Sequence, residues 1–89
     1  MTQDERRHPP VFPGFKEIAE RRRSFVGRLV AHRVALGLTQ TEVASRMGTS
    51  QSAVARLESG DADVRVSTLE RYAAALDRAL EWRLEEQDK

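Results

Sequence analysis

Gln51, Ser52 and Arg56 stand close together in this chain of 89 residues. Between them they carry the chemistry to read base pairs. A glutamine side chain can bond adenine N6 and N7 together, a guanidinium can bond guanine O6 and N7, and a small methyl such as that of Ala55 can pack on a thymine methyl. Other chemistry is poorly furnished. There is no cysteine, and His8 and His32 are the only histidines. No metal-spaced pair, glycine-rich phosphate loop or nucleophile motif occurs, so neither an enzyme nor a cofactor or metal site is expected.

The stretch that must position these side chains is TQTEVASRMGTSQSAVARLESG, from Thr39 to Gly60. It reads as two short helices about a tight turn. Thr39-x-x-Glu42 is a capping box, with Leu38 and Val43 at the positions of a hydrophobic staple. Val43, Ala44 and Met47 mark one apolar face at helical spacing. Gly48 stops the first helix, because a residue without Cβ takes left-handed φ cheaply. Ser50 caps the second, in which Val54 and Leu57 point inward and Gly60 ends the run. Thr49, Gln51, Ser52, Ala55 and Arg56 are left facing outward near its start.

Capping box, small Ala44, turn glycine and the core pair Val54 and Leu57 together resemble the helix-turn-helix of the lambda-repressor/Cro-like (Xre-type) DNA-binding family. The resemblance runs from about Val26 to Leu76. It implies an all-α fold, a lambda-repressor-like domain of four to five helices. The helix begun by Ser50 would enter the major groove, and its predecessor would lie across the backbone. On this footing Gln40, Thr49, Ser50, Gln51, Ser52, Ala55, Arg56 and Arg65 are the DNA-binding candidates. Gln40, at the first position of its helix, adds a donor to amides already aimed at phosphate. Gln51, Ser52 and Arg56 match base-reading or adjacent phosphate-binding positions. The competing reading of Arg56 is a surface ion pair with Glu58 or Glu42, worth little. Glu58 itself reads as structural or charge-balancing.

Taken in order, residues 1–14 hold three prolines and Gly14, which read as a flexible arm carrying Arg6-Arg7. From Phe15 a helix is expected, with Ile18, Arg22, Phe25, Val26, Leu29, Val30 and Leu36 on one stripe. Arg21, Arg23, Arg28 and Arg33 lie outside it. Gly27 marks a kink or a boundary, so residues 15–24 form an extension and residues 25–77 the DNA-binding domain. Arg21-Arg22-Arg23 could touch phosphate, though a charge run is usually a solvated face. Residues 60–66 form a polar loop anchored by Val64 and Val66. The resemblance makes Arg65 its one phosphate candidate, with Asp61 and Asp63 opposing it. Ser67-x-x-Glu70 reads as a second capping box, opening a helix whose core face is Leu69, Tyr72, Ala73 and Leu76. Tyr72 reads as a core-edge aromatic with its hydroxyl in water.

Residues 78–89 form a dimerisation segment and tail. Leu80, Trp82 and Leu84 alternate with Glu81, Arg83 and Glu85, the period of a half-buried strand. The spacing of Leu76, Leu80 and Leu84 leaves a helix as the alternative. A lone strand has open edges, best closed by the same strand of a second copy. Leu80, Trp82 and Leu84 are then the expected dimer interface.

The bulk numbers fit one small, highly charged domain, 39% hydrophobic and 33% charged. Net charge is +1, but residues 1–60 hold ten Lys/Arg against six Asp/Glu, and residues 61–89 five against eight. The basic half contains the expected reading head. No apolar run reaches the ~20 residues of a membrane span, and no signal-peptide segment opens the chain, so a cytoplasmic location is expected. Two functions fit. One is a homodimeric repressor on duplex DNA. The other is the antitoxin of a toxin–antitoxin pair, repressing its own operon and holding a small toxin protein.

Overall fold

The structure, a computed structural model, describes residues 14–86. The expected arm, including Arg6, Arg7 and His8, falls outside this range apart from Gly14, as do residues 87–89. Four helices follow in order: α1 (Phe15–Ala35), α2 (Gln40–Met47), α3 (Gln51–Glu58) and α4 (Val66–Ala75). The fold is all-helical among the described residues, as expected. α2 packs on α3 and α4, and α1 packs on α3.

The core is small. Val26 and Leu29 of α1, Val43 and Ala44 of α2, Val54 and Leu57 of α3, Tyr72 and Ala75 of α4, and its C-cap Leu76 form one buried cluster. Each helix thus contributes one stripe, and no helix could bury its own stripe alone. Ala44 is 3% exposed, which lets α2 and α3 cross closely.

The helix ends follow local chemistry. Thr39 Oγ1 accepts from the Glu42 amide at 3.0 Å, and the Thr39 amide donates to Glu42 Oε1 at 2.7 Å. This reciprocal box holds the Glu42 carboxyl below its usual range, first through the Thr39 backbone bond. Ser50 Oγ accepts from the Ala53 amide at 3.1 Å. Gly48 closes α2 at φ 73°, and the Thr49 amide reaches back to the Ala44 carbonyl at 2.9 Å. Satisfying those end carbonyls is what makes the turn so tight.

Four expectations need correction. Gly27 ends no helix, because α1 runs through it unbroken for 21 residues. The apolar stripe of α1 is shorter than expected. Ile18 and Leu36 are each 44% exposed, since α1 overreaches the body at both ends. The second capping box does not form. α4 opens two residues early, at Val66, with Arg65 as N-cap and no side-chain cap. Val64 and Leu69 occupy the staple positions about that start, and both pack against the core. Their burial outweighs a surface cap from Ser67, and it leaves Val66, 53% exposed, as no anchor. Finally, Tyr72 is fully buried, and its hydroxyl is not in water.

Residues 78–86 run without helix, turn or bend, so the helical alternative for the tail is not realised. They form no strand within the single chain either. Leu80 packs against the core, whereas Trp82 and Leu84 are exposed.

Candidate nucleic-acid interface

Glu58, the last residue of α3, organises the site from behind. Its Oε2 accepts from Arg33 Nε at 2.7 Å and from the Tyr72 hydroxyl at 2.5 Å. Its Oε1 accepts from Arg33 Nη2 at 3.1 Å and Gln40 Nε2 at 2.9 Å. Arg33 also donates through Nη1 to the Leu38 carbonyl at 2.7 Å. One carboxylate therefore joins all four helices. Its side chain is 6% exposed and that of Arg33 is 13% exposed. Burial pushes the Glu58 carboxyl up, but bonds from Arg33, Tyr72 and Gln40 outweigh it and hold the carboxyl below its usual range. The bond to Glu58 raises the Arg33 guanidinium, so the pair stays ionised. Burial, and then Glu58, push the Tyr72 phenol well above its ordinary value. The hydroxyl keeps its proton and donates it.

The network continues to the surface. Gln40 gives one amide hydrogen to Glu58, and its Oε1 accepts from Gln51 Nε2 at 2.6 Å. An amide nitrogen carries two hydrogens. Gln51 therefore keeps its carbonyl oxygen and one N–H, the pair that matches adenine N6 and N7. Gln40 likewise keeps one N–H. A side chain held this way loses less freedom on meeting a partner.

The remaining candidates fall into place around α3. Gln51 and Ser52 are exposed on its leading turn, Thr49 and Ala55 are half-buried beside them, and exposed Ser50 serves as the cap. Ser50 and Ser52 hydroxyls lie 3.2 Å apart. Arg56 is exposed, and its expected competitors are occupied elsewhere: Glu58 by Arg33, Gln40 and Tyr72, and Glu42 by Thr39. Arg65 is the N-cap of α4. Arg56 and Arg65 meet at a cleft of about 300 Å³, joined there by Arg71 of α4 and by Asp63. Among the described residues, no ion pair neutralises these three arginines.

The extension of α1 is tied to the far end of α3. Arg22 Nε donates to the Gly60 carbonyl at 3.3 Å, and Arg23 Nη1 lies 3.5 Å from Asp61 Oδ1. Arg22 and Arg23 are thus engaged with the loop.

Sequence reasoning missed the inward role of Arg33 and the partner of Tyr72. A signal existed. Arg33 follows Val26 and Leu29 at i+7 and i+4, on the buried face. Its polarity placed it outside the stripe. Arg46, whose Nη1 donates to the Ala75 carbonyl at 2.8 Å, went unremarked for the same reason.

A capped helix, a glycine turn and a second helix with an outward polar leading edge define a helix-turn-helix DNA-binding protein. The chain belongs to the helix-turn-helix family of lambda-repressor/Cro-like (Xre) type, whose pattern matches residues 29–83. It is 46% identical over 76 residues to the antitoxin HigA1 of Mycobacterium tuberculosis, strain CDC 1551 / Oshkosh, and equally to that of strain ATCC 25618 / H37Rv. The match covers 85% of this chain and 51% of each relative, so the chain spans about half their length. No solved structure matches significantly.

Proposed function

We propose that this protein is a sequence-specific regulator of transcription that binds duplex DNA as a homodimer on an inverted repeat, acting as a repressor. The observation that carries the reading is the exposed edge of α3, where Gln51, Ser52 and Arg56 face solvent with bonding capacity to spare. In this reading those three contact base edges or adjacent phosphates. Thr49, Ser50 and Ala55 flank them, and Gln40 and Arg65 hold the backbone on either side. Residues 25–77 form the reading domain, 15–24 an extension, and 78–89 the segment through which Leu80, Trp82 and Leu84 join two copies. The test is selection of bound duplexes from random DNA, with and without residues 1–24. Enrichment of an inverted repeat supports the reading. Recovery of random sequence at all salt concentrations would sink it.

The likeness to HigA1 favours a second function beside the first. As an antitoxin, the protein would repress its own operon and also hold a small toxin protein, with the arm, the α1 extension or the tail as the holding surface. Co-expression with the product of a small adjoining reading frame decides it. Growth arrest by that product, relieved by this chain, is the expected result.

A further inference from the structure

We infer that the cleft between α3 and α4 is a binding site for a small organic phosphate, and that a ligand there draws Arg56 away from the DNA-reading edge. The site itself stands without the DNA reading. The effect on Arg56 rests on that reading and adds a regulation it does not contain.

The cleft has a charged rim over an apolar floor. Arg56 of α3, with Arg65 and Arg71 of α4, brings three guanidinium groups to it, and Asp63 brings one carboxylate. All four residues are exposed, and among the described residues no ion pair engages any of them. Like charges gathered this way repel one another until an anion lies between them. α4 also starts at this rim with no side-chain cap, so the positive end of its dipole adds to the field. The floor includes Val54 and Leu57 of the core.

Charge and shape select the ligand. Three positive charges less one negative leave a surplus of two on the rim. A phosphate monoester brings about −1.5 to −2 at neutral pH and three acceptor oxygens, which guanidinium forks match in pairs. A carboxylate or a DNA phosphodiester brings a single charge and two free oxygens. Asp63 repels a second anionic group, so a polyphosphate or a continuous DNA backbone fits worse than a lone monoester. The apolar floor in turn rewards a ligand with a body over bare inorganic phosphate. The volume, about 300 Å³, lies at the low end for small-molecule sites and holds a phosphate with one ring or a short chain.

Arg56 links this site to the reading edge. It follows Ala53 by three residues and Ser52 by four, so it neighbours both on the helix surface. Ala53 lines the cleft, whereas Ser52 stands on the exposed leading turn. One guanidinium cannot hold a phosphate in the cleft and a base edge in the groove together. Ligand and operator therefore compete for it.

Phenyl phosphate is the probe, with inorganic phosphate and benzyl alcohol standing for its two halves. Each is titrated at fixed ionic strength into the full chain, labelled with nitrogen-15 and free of DNA. Phenyl phosphate should shift the Ala53 amide and the side-chain N–H signals of Arg56, Arg65 and Arg71 saturably, and bind roughly tenfold tighter than inorganic phosphate. Arg71→Ala, which removes one fork, and Ala53→Leu, which fills the cleft and keeps every charge, should each weaken it roughly tenfold. In gel shifts with a selected duplex, saturating phenyl phosphate should raise the wild-type Kd roughly tenfold and leave that of Arg71→Ala unmoved. Without the probe, Arg71→Ala should bind the duplex as the wild type does. Absence of a saturable shift overturns the site, as does equal affinity for phenyl and inorganic phosphate. Arg71→Ala that weakens every duplex alike without the probe, with a shallower salt slope, assigns the cleft to the DNA backbone and overturns it too. The titration needs no DNA. An enriched duplex with no shift therefore sinks the site and spares the DNA reading, and a saturable shift with no enriched duplex does the reverse.

Discussion

Arg56 and Glu58 are two positions apart on α3 and carry opposite duties. Arg56 is exposed and has no acidic partner among the described residues, while Glu58 is half-buried and accepts four hydrogen bonds. Their substitutions should therefore separate. Arg56→Ala should leave folding intact, weaken the cognate duplex by ~1–3 kcal/mol and relax one base position. Equal loss on random DNA would make it a phosphate contact instead. Glu58→Ala should cost roughly 1–3 kcal/mol of stability, because it removes the acceptor of the buried Tyr72 hydroxyl and of the part-buried Arg33 guanidinium. The Glu58 carboxyl also sets an acid limit. Its folded pKa lies below the ordinary value of 4.5, so the unfolded chain takes up the proton first as pH falls. The stabilisation is complete above that ordinary value and is lost as pH drops through the folded one. Urea midpoints of the wild type should decline there. Glu58→Gln should start lower at neutral pH and decline less in acid. Parallel acid limbs would show that Glu58 does not govern them.

At the scale of the elements, two glycines with nearly the same φ should respond differently to a methyl group. Gly48 at φ 73° has open space where a Cβ would go. Gly48→Ala should cost only the backbone strain, about 1–2 kcal/mol. At Gly60, φ 76°, the Cβ would meet Arg23 Cγ at 3.1 Å and Arg23 Cα at 3.2 Å. A neighbouring backbone atom cannot swing aside, so Gly60→Ala should cost clearly more and loosen α1 from α3. Thermal melts of the two variants give the order directly, and equal melting points would refute it. The same elements show what a sequence makes legible. The α2–turn–α3 unit was readable because its caps, staple and glycines act within a few residues of one another. Glu58 read as structural or charge-balancing, but the inward turn of Arg33 was not legible, since its partner lies 25 residues away. The start of α4 was misplaced for a related reason. The cap motif at Ser67 is local, whereas the burial of Val64 and Leu69 that displaces it is tertiary. The outward polar edge of α3 was legible through its helical phase, but the Glu58–Gln40–Gln51 relay behind it was not.

At the scale of the whole molecule, the reading head is short, and in the proposed homodimer a second copy would supply the rest of the footprint. α3 has eight residues, and only its leading turns face outward, so a single copy can span only a few base pairs. Two copies about a twofold axis, as proposed, would present two such helices about one DNA turn apart, ~34 Å or ~10.5 base pairs between half-site centres. A dimer joined through residues 78–89, as proposed, would hold its two reading heads in one fixed relation. Inserting about 5 base pairs between the selected half-sites should therefore put them on opposite faces of the duplex and reduce affinity to that of one half-site. If Arg65 holds phosphate, as proposed, Arg65→Ala should weaken all duplexes alike and lower the salt slope by about one. A monomeric reader would be indifferent to the insertion. Gel-shift titration of the native, inserted and half-site duplexes, at matched salt, separates the two. The outcome bears on partner binding as well. A protein held by the tail would compete with the link between reading heads and so release DNA, whereas one held by the first half of α1 would leave spacing sensitivity unchanged.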